Sequence, residues 1–225
     1  MKASLDTNVI LHLYRADKQA VLFDFFDEAI YIDEFIYDVE LKNHGSDIKD
    51  KLDEDINAGK IKVITKDWLK EKRLLSLYNE YLTEQIYLYS SADKGEACAI
   101  ALAKLLGAMS VVTDDIKTGG PHYTLMCLPD SDLIPFTYYE LIIMLYMMNA
   151  YSAETVVETI ETVKKHSPEY NFDLTSKLKK FINRTLRDPY SKRDKRWFDD
   201  FAKQNNIDIL EKIKQLRSYI KQKST

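Results

Sequence analysis

The sequence predicts an α/β fold, a three-layer α/β/α sandwich on a parallel sheet of four or five strands, followed by an α-helical C-terminal extension. Three observations carry this expectation. Short apolar runs that stop at polar clusters alternate with helical patterns of ten or more residues as far as Pro135, which implies right-handed crossovers and a sheet covered on both faces. After Pro135 only helical periodicity remains. The charge is also divided: Lys177 to Thr225 holds 15 Lys and Arg against 6 Asp and Glu, a net of +9, while residues 1–176 hold 17 against 30, a net of −13. The two parts therefore face different partners.

The first run, KASLD, is short and apolar and reads as a buried strand that ends at Asp6. Thr7 or Asn8 can cap the next helix, because Leu11, Tyr14, Val21, Phe25 and Phe26 fall near helical spacing over VILHLYRADKQAVLFDFFDEA. AIYID (29–33) is the second strand, with Asp33 as helix cap before EFIYDVELKN. KIKVIT (60–65) alternates apolar and polar residues after the turn signal Asn57 to Gly59 and is the third. Helical patterns occupy Asp67 to Leu88 and Ala92 to Leu106, the second ending at Gly107, and SVVTDD (110–115) is the fourth strand. TLMCL (124–128) is read as a fifth. Helices then cover Phe136 to Asn149, Ala153 to Lys165, Leu174 to Leu186, Trp197 to Lys203 and Ile207 to Ile220. The expected organisation is an α/β domain over 1–150 and a helical, basic extension over 151–225, without internal repeats.

The longest apolar stretch, LIIMLYMM (141–148), is far short of the roughly 20 residues of a membrane span, and no basic segment precedes a signal-like leader. A soluble cytoplasmic protein without a membrane partner is expected. Cys98 and Cys127 each lie in an apolar segment and read as buried free thiols.

Ligands of such sheets bind at the carboxyl ends of the strands, and the acids fall there. Asp6 ends the first strand, Asp114 and Asp115 end the fourth, and Glu40 and Glu96 sit on helices able to reach the same edge. Like charges gathered so closely cannot all ionise unless a cation balances them. An all-oxygen set without Cys or His favours Mg²⁺ or Mn²⁺ over zinc. Taken singly, each acid has a plainer account: Asp6 as a helix cap, Glu40 as a solvated helix residue, Glu96 paired with Asp93 three residues earlier, and Asp114 and Asp115 opening a turn. One site explains the set better than five coincidences. The four histidines show no zinc spacing, and no catalytic histidine is expected where a metal replaces the general base. Ser90 and Ser91 lack a nucleophile elbow, and KTGG (117–120) lacks the context of a phosphate loop, leaving it a flexible loop on the rim.

Over about residues 1–150 the sequence resembles the PIN-domain nucleases, through SLDTNVIL (Asp6, Asn8), DVELKNHG (Glu40), DKGEACAIALAKLLGA (Glu96) and VVTDD (Asp114, Asp115). The resemblance implies one or two divalent ions, held by the acids, that activate water to cut an RNA phosphodiester. By position Asp6, Glu40, Glu96 and Asp115 match the four acids, with Asp114 a close rival for the last place, and Thr7 and Asn8 match the polar pair that orients the first. Many members are toxins paired with an antitoxin and others process ribosomal RNA; a protein partner and a homodimer stay open. The extension lies outside the resemblance, and the Gly95-Glu96 pair is more like the longer prokaryotic members than the compact toxins. The rival readings are a non-catalytic scaffold of the same fold, a nuclease acting on DNA, and a phosphatase of the haloacid dehalogenase type, which needs a second acid where Asn8 stands.

KLKKFINRTLR (177–187) and SKRDKRWF (191–198) offer Lys179, Lys180, Arg184, Arg187, Arg193 and Arg196 as phosphate contacts, with Phe181, Tyr190, Trp197 and Phe198 among them. That suits RNA, or an acidic partner, although a charged face is often only solvated. Lys94 and Lys117 provide positive charge on the rim itself.

Overall fold

The first apolar run is buried on both sides, with Ala3, Ser4 and Leu5 inaccessible to solvent, as expected of a central strand in a parallel sheet. In the computed structural model, which describes residues 1–89, 94–128, 131–167, 172–187 and 192–223, this run is β1 (Lys2–Leu5). With β2 (Ala29–Asp33), β3 (Ile61–Ile64), β4 (Ser110–Val112) and β5 (Ile134–Phe136) it forms an all-parallel sheet in the order β3-β2-β1-β4-β5. The winding direction reverses at β1. Register places Leu5 opposite Val112, so β1 and β4 end level and the Asp6 amide donates to the Val112 carbonyl at 3.0 Å.

The helices are α1 (Thr7–Arg15), α2 (Ala20–Phe25), a π-helical turn (Ile36–Glu40) running into α3 (Leu41–His44), α4 (Lys49–Asn57), α5 (Lys66–Glu71), α6 (Leu75–Tyr89), α7 (Lys94–Leu106), α8 (Pro121–Cys127), α9 (Tyr138–Met147), α10 (Ala153–His166), α11 (Leu174–Ile182) with a second π-helical turn (Asn183–Arg187), α12 (Lys192–Gln204) and α13 (Ile209–Lys223). α7 crosses β1, β2 and β4 with α6 packed on it, and α1 and α2 meet α10 and α9 in the opposite layer. This is the three-layer sandwich with a helical extension that the sequence predicts. No described helix is long and apolar enough to cross a membrane.

The fifth strand is not where it was expected. TLMC (124–127) ends α8, with Leu128 as its C-cap; Gly120 introduces this helix and Pro121 starts it, a favoured place for proline because its missing N–H is needed least there. Leu125 and Met126 face inward, whereas Cys127 is exposed and only Cys98 is a buried thiol. β5 instead takes in Pro135, which an edge strand tolerates. Two long helical patterns are broken by left-handed residues, Asp17 (φ 53°) between α1 and α2 and Arg73 (φ 58°) between α5 and α6. α4 is a further helix, in a segment (49–57) with only Leu52 and Ile56 as apolar residues.

The extension shares one core with the sheet. Val156, Ile160, Leu178, Phe198 and Leu216 belong to the same buried cluster as Leu5, Ile32, Val112 and Phe136. Trp197 packs on Phe136 with ring centres 5.2 Å apart. The expected boundary near residue 150 falls between two helices, α9 and α10, and marks no break in packing. Phe198→Ala is expected to destabilise the whole protein by about 3–5 kcal/mol, read as a lower midpoint of one urea transition common to the near-ultraviolet and far-ultraviolet signals. Two separate transitions would show an extension that folds on its own.

Candidate active site at the carboxyl edge of the sheet

The chain leaves β1 through Asp6, which caps α1 with extended backbone (φ −87°, ψ 156°). Its carboxylate is 2 % exposed. Oδ1 accepts from the Thr7 amide at 2.7 Å and Oδ2 from the Thr113 hydroxyl at 3.1 Å. The plain capping account of Asp6 is thus correct as far as it goes. Capping does not explain its surroundings: burial together with the charges of Glu40 and Asp114 pushes the Asp6 carboxyl up to about 7.

Glu40 reaches this place from the π-helical turn after β2. The Thr7 hydroxyl donates to Glu40 Oε2, so Thr7 links the first acid to the second. The Glu40 carboxylate lies against Gly95 so closely that a Cβ there would overlap it. Glu96, the next residue of α7, is 8 % exposed. Asn8, the other member of the expected orienting pair, faces solvent.

Asp114 and Asp115 divide. Asp114 is 1 % exposed and fully engaged: Oδ2 bonds His12 Nδ1 at 2.7 Å, and Oδ1 accepts from the Tyr138 amide at 3.1 Å. Asp115 stands further out, where Oδ2 pairs with Lys117 Nζ at 2.6 Å and Oδ1 accepts from the Lys117 amide at 3.2 Å. Its own amide donates to Thr113 Oγ1, so one threonine connects Asp6 with Asp115. Of the five expected acids, Asp6 feels the charges of both Glu40 and Asp114, Glu96 is the chain neighbour of the Gly95 that Glu40 lies against, and Asp115 is linked to Asp6 through Thr113. Asp93, Ser90, Ser91 and Tyr190 lie outside the described residues.

Among the described residues no group of three or more His, Cys, Asp or Glu side chains is disposed as a ready metal cage. The donors are nevertheless all oxygen, the kind a hard divalent cation takes, and burial together with neighbours of its own sign drives the central carboxyl toward neutrality. Asp6, Glu40 and Glu96 would hold it, with Asp115 once Lys117 yields. Asp33, the equivalent residue of β2, is different. It accepts from the Phe35 amide and from Tyr78 at 2.8 and 2.7 Å, inside a cluster where burial and Asp33 raise the Cys98 thiol to about 12. That group is structural.

Two expected phosphate contacts are inside the protein. Arg184 is 6 % exposed and holds Glu140 at 2.9 Å and Asp194 at 2.8 Å. Arg193 bonds Asp194, the Ser131 carbonyl at 2.7 Å and the Leu125 carbonyl at 3.2 Å. Phe181 and Phe198 are core residues, and Trp197 stacks on Phe201 with centres 5.3 Å apart. Lys179, Lys180, Arg187 and Arg196 are exposed, and Lys94, also exposed, lies over the Phe35 ring at 4.3 Å. Sequence reasoning missed the partners His12 and Glu140. The first gave no signal beyond a histidine on an apolar face; the second was announced by Thr137-Tyr138-Tyr139-Glu140, a capping box, whose Glu140 also takes His122 at 3.1 Å. No family model, curated protein or solved structure matches the chain.

Because Asp6 takes its proton at about 7 in the folded chain and near its ordinary value of about 4 when unfolded, the folded state holds an extra proton between those limits. Stability of the metal-free protein should therefore fall as pH rises from about 4 to about 7, by on the order of a few kcal/mol. Asp6→Asn should remove that part of the slope. In EDTA the gain in urea midpoint over the native sequence is expected to be larger at pH 8 than at pH 5; an equal gain at both would contradict the raised value.

Proposed function

We propose that this protein is a metal-dependent endoribonuclease of PIN type that hydrolyses RNA phosphodiester bonds at the carboxyl edge of its sheet. The observation that carries the reading is the buried carboxyl of Asp6, set level with the ends of β1 and β4 and raised to about 7 beside Glu40 and Asp114. Asp6, Glu40 and Glu96 would hold Mg²⁺ or Mn²⁺, which when bound would supply positive charge for the phosphoryl oxygens and lower the pKa of water. The chain supplies position. Asp6 is fixed by the Thr7 amide and the Thr113 hydroxyl, Glu40 by the Thr7 hydroxyl, and Asp114 by His12 and the Tyr138 amide, so the carboxylates are oriented before substrate arrives. Lys117, at 2.6 Å from Asp115, is placed to exchange that carboxylate for a phosphate oxygen as RNA enters.

The test is cleavage of a mixed RNA pool by the full chain with Mg²⁺, Mn²⁺ or EDTA. Cleavage should need the ion. Asp6→Asn should lower it by more than the roughly 10- to 100-fold that loss of an outer partner of a metal site causes, with the fold retained. Gly95→Ala tests the arrangement separately: the added methyl displaces the flexible end of Glu40 at little cost to stability, and cleavage should fall while the unfolding midpoint hardly moves. Undiminished cleavage in both Asp6→Asn and Glu96→Gln, or in EDTA, would exclude this site.

A further inference from the structure

We propose that a groove of about 670 Å³ beside the carboxylate rim, walled by Thr118, Tyr123, Lys180, Asn183, Arg184 and Arg187, holds a backbone phosphate of a single RNA strand. The identity of the strand rests on the proposed ribonuclease reading; the anion site itself rests on the geometry. Lys180, Asn183, Arg184 and Arg187 recur at helical spacing and share one face. At Asn183 the helix opens into the π-helical turn Asn183–Arg187, a distortion frequent at functional sites.

The charge of that face is not evenly available. Arg184 is committed to Glu140 and Asp194 and forms the floor. Lys180 and Arg187 are exposed and make no ion pair with a described residue. Glu140 is the acid of the lining, and Arg184 and His122 already hold it. Two cations, the Asn183 amide and the Thr118 hydroxyl thus face a space whose one carboxylate is neutralised. A phosphodiester fits that donor set. The size suits one nucleotide, and Tyr123 offers a ring on which a base can stack.

The elements that line the groove are those that carry part of the rim. Thr118 follows Asp115 in the same loop, and Tyr139 and Glu140 follow the Tyr138 whose amide fixes Asp114. Lys177, 7 % exposed, has its Nζ over the Tyr139 ring at 5.0 Å and feels the charges of Lys180, Asp114 and Glu140. A strand with one phosphate over the carboxylates would present another to Lys180 and Arg187. The groove thereby supplies the positive surface that an acidic rim needs to retain a polyanion.

The experiment uses the full chain carrying Asp6→Asn throughout, with a fluorescent single-stranded uridine oligonucleotide, and reads affinity by anisotropy over a range of KCl. Lys180→Gln with Arg187→Gln should weaken binding at low salt by about 10-fold or more and lower the slope of log affinity against log salt by roughly 1.4, two contacts at about 0.7 each. Lys195→Gln with Arg217→Gln, an equal charge change at exposed positions outside the groove, should do much less. Equal losses in the two pairs would reduce the effect to net charge and overturn the groove, as would unchanged binding in the first pair. Competition by uridine monophosphate as effective as that by the oligonucleotide would assign the site to a free nucleotide and overturn the strand. If the native chain cuts no RNA and the groove pair still weakens binding selectively, the hydrolytic reading fails and the phosphate site stands.

Discussion

Asp6 follows the central strand of the sheet, is 2 % exposed, and lies in the field of Glu40 and Asp114. A buried charge costs much unless it is paired, and here the neighbours have the same sign. The arrangement persists because each acid has a hydrogen-bond partner: Asp6 an amide and a hydroxyl, Asp114 His12 and the start of α9, and Glu40 the Thr7 hydroxyl, with its carboxylate lodged against Gly95. The strand order is what makes this possible, since β1 and β4 are adjacent and end level while β2, on the other flank of β1, leads into the turn that carries Glu40.

A second buried charge system ties the extension to that edge. Glu140 closes the capping box of α9 and receives Arg184 from the end of α11, and Arg184 also holds Asp194 of α12. Removing one partner of such a pair strands the other charge in the interior, which typically costs about 3–5 kcal/mol. The basic tail is therefore two populations. Arg184, Arg193 and Lys177 face inward and build structure, while Lys179, Lys180, Arg187 and Arg196 keep their charge at the surface. Net charge along the sequence could not separate them, because inward and outward residues alternate on the same amphipathic helices.

What was legible follows from the range of the forces involved. The alternation of apolar runs and helical patterns is local, and it gave the α/β class, four of the strands and most helices. The fifth strand was misplaced because TLMCL has a strand-like composition, and the residues that decide it, Gly120 and Pro121 at a helix start, precede the run. Asp6, Asp114 and Asp115 could be placed at strand ends, and Glu40 and Glu96 on helices, from local pattern alone. Which of them meet is a tertiary fact: Asp114 and Asp115 are neighbours in sequence, yet one is bound by His12 and the other by Lys117. The same holds for Thr113, whose hydroxyl joins Asp6 to Asp115 and which no motif singled out.

The central claim is that these carboxylates form a cation site in which the Asp6 proton gives way to a metal ion. Calorimetric titration of the full chain with Mn²⁺ near neutral pH, repeated in buffers of different ionisation enthalpy, measures binding and proton release together. The account predicts binding accompanied by release of protons, with both greatly reduced in Asp6→Asn. Binding without proton release, or binding that Asp6→Asn leaves intact, would contradict it.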